Sequence, residues 1–111
     1  MSDNTKDEEL KTYMVLNYGG LPNPSERLNH IRKFNQWIYA LQKKGQYVSG
    51  SAFGISRMIQ DGKIINLKRI NKALLGHSII RAHSIDEAVK IAKSIPIQHS
   101  GIVDVREFIT V

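Results

Sequence analysis

Apolar positions recur along this chain with two different periods, and the switches between them mark the elements. Thr12 to Tyr18 (Thr-Tyr-Met-Val-Leu-Asn-Tyr) is a β-prone run closed by Gly19-Gly20. Asn23-Pro24-Ser25-Glu26 then has the form of a helix start: an N-cap, a proline at the first helical position, and a glutamate placed to reach back to the cap. Beyond it Leu28, Ile31, Phe34, Trp37, Ile38 and Leu41 share one side of a helical wheel, with Arg32, Lys33, Gln36 and Lys43 opposite and Gly45 ending the helix. Tyr47 to Ser49 reads as a short strand closed by Gly50, and residues 56–67 as a hairpin turning at Gln60-Asp61-Gly62-Lys63. Lys68 to Leu75 fits a helical turn or a loop equally. Gly76 to Ala82 is the next strand. Ser84 caps a second helix with Glu87 as its capping-box partner, and Ile85, Ala88, Val89, Ile91, Ala92 and Ile95 form its apolar arc up to Pro96. Ile102 to Phe108 closes the chain's regular structure.

This order is that of an α+β protein, a ferredoxin-like βαββαβ unit with an inserted hairpin. Right-handed crossovers then lay both helices on one face of an antiparallel sheet and leave the other face bare. Side-chain alternation assigns the faces. Val103, Val105, Ile80, Ala82, Met14 and Leu16 suit the helix side; Asp104, Arg106, His77, Ile79, Arg81, Tyr13, Val15 and Asn17 suit the bare side. A face that mixes apolar and charged groups in this way is best covered by a second copy across a twofold axis, so a homodimer is expected.

Charge and composition narrow the chemistry. The net charge is +6, and residues 1–10 hold four acids against Lys6, so the remainder carries +9. A basic body favours anionic partners, although scattered lysines also make an ordinary solvated surface. Residues 1–11 read as a disordered acidic tail and residues 12–111 as one domain. With no cysteine, disulfides and thiolate metal sites are excluded, and a reducing, cytoplasmic home is expected. No apolar run reaches the roughly 20 residues of a spanning helix, so no membrane partner is expected.

Several residues are candidates for a site. His30 shares the first helix's seam with Phe34 and Trp37, where it either serves as a general base or ligand-binding group or packs on Phe34. Trp37 either stacks on a flat ligand or fills the core. His77, Arg81, Asp104 and Arg106 share the bare face, where an imidazole, a carboxylate and two guanidiniums on neighbouring strands could meet a small anion, or pair across the dimer. No metal-ligand spacing and no nucleotide-binding glycine loop is present, so no metal or cofactor is expected.

Ser84-Ile85-Asp86-Glu87-Ala88, continuing through Pro96, and Gly101-Ile-Val-Asp-Val-Arg106 resemble the C-terminal signature of the YCII-related proteins, in particular the branch named for a DGPF motif. Met14-Val-Leu-Asn-Tyr-Gly-Gly20 and Trp37, Leu41, Gly45 and Gly50 sit where that family has its first strand and its aromatic helix followed by a glycine-flanked strand. The resemblance spans about residues 12 to 108. It implies a dimeric α+β barrel of ferredoxin-like subunits and says little about activity. One branch of the family is thought to use a His and Asp dyad between sheet and helix, with a dehalogenating or lyase-like enzyme among its members. This chain departs from that pattern. Ile64-Ile65-Asn66-Leu67 stands where Asp-Gly-Pro-Phe would be, Lys72 or a neighbour replaces the following Glu, and Phe34 occupies the dyad histidine's place, one turn after His30.

The expectation is a homodimer with a pocket between the bare sheet face and the first helix. That pocket would bind a small anionic or aromatic molecule through Trp37, Arg81 and Arg106, with His30, His77 and Asp104 as candidates for acid–base chemistry. The alternatives are a basic nucleic-acid module and a structural or regulatory dimer without catalysis. The nucleic-acid reading is the weaker of these, because the expected bare face carries Tyr13 alone and no pair of base-stacking aromatics.

Overall fold

In the computed structural model, which describes residues 9–19, 23–65, 74–96 and 101–109, strand β1 (Lys11–Tyr18) lies inside a four-stranded antiparallel sheet. It is flanked by β5 (Leu74–Ala82) and β6 (Ile102–Glu107), and β5 pairs in turn with β2 (Tyr47–Ala52). The order β2-β5-β1-β6 is compatible with the ferredoxin-like arrangement expected from the order of elements. β3 (Met58–Gln60) and β4 (Lys63–Ile65) form a separate two-stranded sheet around Asp61 and Gly62. Both turn residues have positive φ, 52° and 78°, which is the requirement of a tight two-residue turn. The acidic tail lies outside the described residues up to Glu8, as do Asn66, Leu67, Lys72 and His99. Lys11, expected in the tail, instead opens β1.

Helices α1 (Arg27–Lys43) and α2 (Ile85–Lys93) pack on one face of the sheet. Their buried residues Trp37, Leu41, Ala88 and Ala92 join Tyr13, Val15, Ile80, Ala82 and Ile95 in one core, with Val103 and Val105 against it. The small side chains of Ala88 and Ala92 bring α2 close to the strands. Trp37 ties the two helices together, its indole N–H donating to Ser94 Oγ at 3.0 Å.

The face assignment holds for β5 and β6 and is reversed for β1. Tyr13, Val15 and Asn17 are buried toward the helices, while Met14 and Leu16 are half-buried on the other side. Pairing explains why. Val15 stands opposite Ser78 on one flank and Val105 on the other, so it shares their face, and a period of two carries Tyr13 and Asn17 with it. Burial also pushes the Tyr13 phenol above its usual pKa, with Glu107 and Glu87 adding to the effect, so the ring stays neutral.

The helix ends differ in how they are made. Pro24–Glu26 forms a 3-10 turn ahead of α1, and the Glu26 amide donates to the Asn23 carbonyl at 2.9 Å. That amide is the one the Asn23 side chain would have capped, so the expected capping box does not form. At the other end Gln46 N–H bonds Leu41 O and Gly45 N–H bonds Gln42 O, with Gly45 at φ 71°, closing α1 in a Schellman motif. β2 continues through Gly50, where the sequence placed its end.

At α2, Ser84 Oγ accepts the Glu87 amide at 3.1 Å, as a cap should. Glu87 reaches back one residue further than expected, accepting the His83 backbone N–H at 2.6 Å and meeting its Nδ1 at 3.0 Å. His83 is therefore paired with Glu87 through both its backbone and its ring. The His83 backbone N–H is the main cause holding the Glu87 carboxyl below its ordinary value, outweighing the opposing effect of burial.

Two stability predictions follow from α2. Ser84→Ala removes one hydrogen bond and should cost about 1 kcal/mol in urea unfolding. A depressed carboxyl pKa stabilises the fold above the unfolded value and loses that contribution as pH falls through the folded value. Glu87→Gln should therefore be less stable than the parent near pH 7, with the gap closing toward about pH 3. Unfolding midpoints measured across that range check the sign; a gap that widens in acid would contradict it.

Candidate functional site

The apolar seam of α1 is longer than the surface it covers. Trp37 and Leu41 are buried, Phe34 and Ile38 are half-buried, and toward the N-terminus Ile31 and Leu28 are increasingly exposed, Leu28 at 78%. The C-terminal half of the helix is fixed on the core and the N-terminal half stands off the sheet. Between that half and strands β1, β2 and β5 lies an open cavity of about 520 Å³. This is within the size range of small-molecule sites.

One wall is the helix. Arg27, His30, Ile31, Phe34 and Ile38 line it at helical spacing. The aromatic rings continue inward: His30 to Phe34 at 6.2 Å, Phe34 to Trp37 at 5.5 Å edge-on, and Trp37 to Tyr47 at 6.2 Å edge-on. Tyr47 returns to the cavity wall while Trp37 stays in the core.

The floor is made by residues without bulk. Gly50 and Gly76 lie on the helix-facing side of β2 and β5, and each is closely covered by backbone. A Cβ on Gly50 would strike the Tyr47 hydroxyl and come within 2.6 Å of the His77 carbonyl oxygen; one on Gly76 would come within 2.7 Å of Ser51 O. Asn17, opposite Gly76 on β1, completes the floor. It is only 7% exposed, and its Oδ1 is buried without a hydrogen-bond partner. Arg27 and His30 are the cationic and titratable side chains of the helical wall, and among the described residues no carboxylate lines the cavity.

The expected pocket thus divides into two places on opposite sides of the sheet. The cavity beside α1 opens on the helix-bearing face and holds His30. Trp37 is not in its lining; it is 8% exposed and engaged with Ser94. His77, Arg81, Asp104 and Arg106 alternate onto the other face, as β5 and β6 required, although His77, beside Gly76 on β5, also contributes to the lining of the cavity.

They do not converge there, however. β1 runs between β5 and β6, so His77 and Asp104 both stand opposite Leu16, two strand spacings or about 9.5 Å apart. Arg81 lies further along, opposite Thr12. Asp104 bonds Arg106 within its own strand, Oδ2 to Nε at 2.9 Å, which raises the guanidinium pKa. The His77 ring stacks on Phe53 at 5.4 Å, and its Nδ1 is buried without a partner.

Asn17, Arg27, Tyr47, Gly50 and Gly76 were not singled out by the sequence. The available signals were an asparagine inside a β-prone run and glycines within strands, both unfavourable to a sheet unless something approaches closely. Among the described residues no cluster of side chains suited to a metal ion occurs, and no helix is long and apolar enough to cross a membrane. Comparison of the sequence with protein-family models and with curated proteins finds no match to either. The resemblance to YCII-related proteins therefore stands on the residues quoted for it.

Gly50→Ala should destabilise the protein by about 1–3 kcal/mol, because a backbone carbonyl must shift to admit the methyl group. Gly54, with open space at its Cβ position and no positive φ, is the control. Alanine there should be neutral or stabilising by up to about 1 kcal/mol. Equal losses at the two positions in urea unfolding would contradict the packing of the cavity floor.

Proposed function

We propose that this protein is a homodimeric small-molecule-binding protein of the YCII-related kind, which takes a small anionic molecule with an aromatic or apolar body in the cavity beside α1. The observation that carries the reading is the lining itself: Phe34, Ile31, Ile38 and Tyr47 form an apolar and aromatic wall, with Arg27 at hand and no opposing carboxylate among the described residues. Such a lining attracts a negative charge and desolvates a flat body, and the +9 balance of residues 11–111 adds long-range attraction. Among the described residues His30 has no acid beside it in the lining, so binding is favoured over acid–base chemistry.

The bare face supports the dimer. Met14, Leu16 and Ile79 form its half-buried apolar centre, with Arg81, Asp104 and Arg106 around them. Two such faces packed across a twofold axis bury the apolar centres against each other and leave the charges able to pair. Tyr13, the one aromatic residue of β1 that was expected to be available for stacking a base, is in the core. The nucleic-acid alternative is correspondingly weaker.

Light scattering should give twice the chain mass at micromolar concentration, and Leu16→Asp should give the monomer. A wild-type monomer contradicts the dimer. Benzoate and related aromatic acids should raise the melting temperature in proportion to the logarithm of their concentration, by several degrees at about ten times Kd. Arg27→Gln should abolish the preference for benzoate over neutral benzamide. Absence of any stabilisation by aromatic acids up to about 10 mM contradicts the binding reading.

A further inference from the structure

Resting on that reading, we infer that Asn17 is the specificity-determining residue of the cavity, and that its ligand carries a hydrogen-bond donor as well as an anionic group. The helix-facing side of the sheet is apolar at its centre and polar at its two ends, with the exposed pair Lys11 and Glu107 at one and Asn17 and Ser78 toward the other. There Asn17 Oδ1 and Ser78 Oγ are both buried without partners, one rung apart on adjacent strands, in the register Val15 to Ser78 and Asn17 to Gly76. Buried polar atoms nearly always find partners, so two orphans together mark a place where a partner is supplied from outside the chain.

Asn17 is the one of the two that lines the cavity. It is 93% buried by its 7% exposure, and it lines the cavity from its place on β1 opposite Gly76. The carbonyl oxygen accepts, so the complementary group is a hydroxyl, an amide N–H or an amine. Arg27, three residues before His30 on the helical wall, answers the opposite need, for an anion. A hydroxylated aromatic carboxylate satisfies both, with its ring against Phe34.

A ligand without the donor enters the same cavity and leaves the Asn17 oxygen desolvated and unpaired. Such a mismatch lowers affinity by about tenfold or more. The discrimination is thus between two acids of the same charge and nearly the same shape, which Arg27 alone does not distinguish.

The test is calorimetric titration of the full chain with benzoate, with its ortho-, meta- and para-hydroxy derivatives, and with the corresponding methoxy derivatives. At least one hydroxy isomer should bind about tenfold or more tightly than benzoate and its methoxy counterpart, and Asn17→Ala should remove that preference while retaining benzoate binding. In the unmodified protein, the same hydroxy isomer should shift the Asn17 side-chain amide resonances more than benzoate does, a readout that does not depend on the variant folding. If all the acids bind alike, the role of Asn17 is overturned and the anion-binding cavity survives. If the preference persists in Asn17→Ala, or the Asn17 resonances respond equally to benzoate, the donor is read elsewhere and the inference fails. If none binds, both readings fall.

Discussion

The register of β1 between its two neighbours is the constraint on which the rest of the molecule depends. Val15 opposite Ser78 and Val105 places Tyr13, Val15 and Asn17 under the helices and Met14 and Leu16 on the far side. A slip of one residue would exchange the two sets. The core would then gain the flexible side chains of Met14 and Leu16 and lose Tyr13, the largest fully buried side chain. Asn17 would leave the cavity floor. The composition of the bare face, the position of the cavity and the distance between His77 and Asp104 all follow from this one strand's parity.

The cavity arises because α1 is anchored at one end. Trp37 is packed between Phe34 and Tyr47 and bonded to Ser94, while Leu41 is buried and its carbonyl closes the Schellman turn. Among the described residues nothing comparable holds the first turns, where the 3-10 segment uses its own backbone for the bond a side-chain cap would have made. The same helix therefore contributes to the core at one end and walls a cavity at the other. Glycines in β2 and β5 permit the close strand approach beneath it, because backbone already occupies the space a Cβ would take.

Much of the architecture was legible because local signals agreed with one another. Ser84, the acids of the first turn and Pro96 bracket α2 closely, and Asp61-Gly62 marks the tight turn. Face assignment succeeded in β5 and β6, where Ile80 and Ala82 alternate with His77 and Arg81, and Val103 and Val105 with Asp104 and Arg106. It failed in β1 because both sides of that strand are largely apolar, and the side ending in Asn17 is the less hydrophobic of the two. A polar residue at a buried position breaks the local rule, and such breaks concentrate at sites that serve something other than stability. The seam of α1 was visible in the sequence, but its partial use was not, since periodicity does not reveal where a helix ceases to touch its sheet. Trp37 and His30, equivalent on the wheel, were separated only by that tertiary fact. The grouping of His77 with Asp104 failed for a different reason: adjacency of strands in sequence order does not show which strand lies between them.

Isotope-edited nuclear Overhauser spectroscopy on the intact protein tests the parity of β1 most directly. The Val15 methyl groups should show contacts with side chains of the helical layer, among Trp37, Leu41, Ala88 and Ala92, and the Leu16 methyl groups should show none. The reverse pattern, Leu16 against the helices and Val15 away from them, would contradict the architecture and remove Asn17 from the cavity.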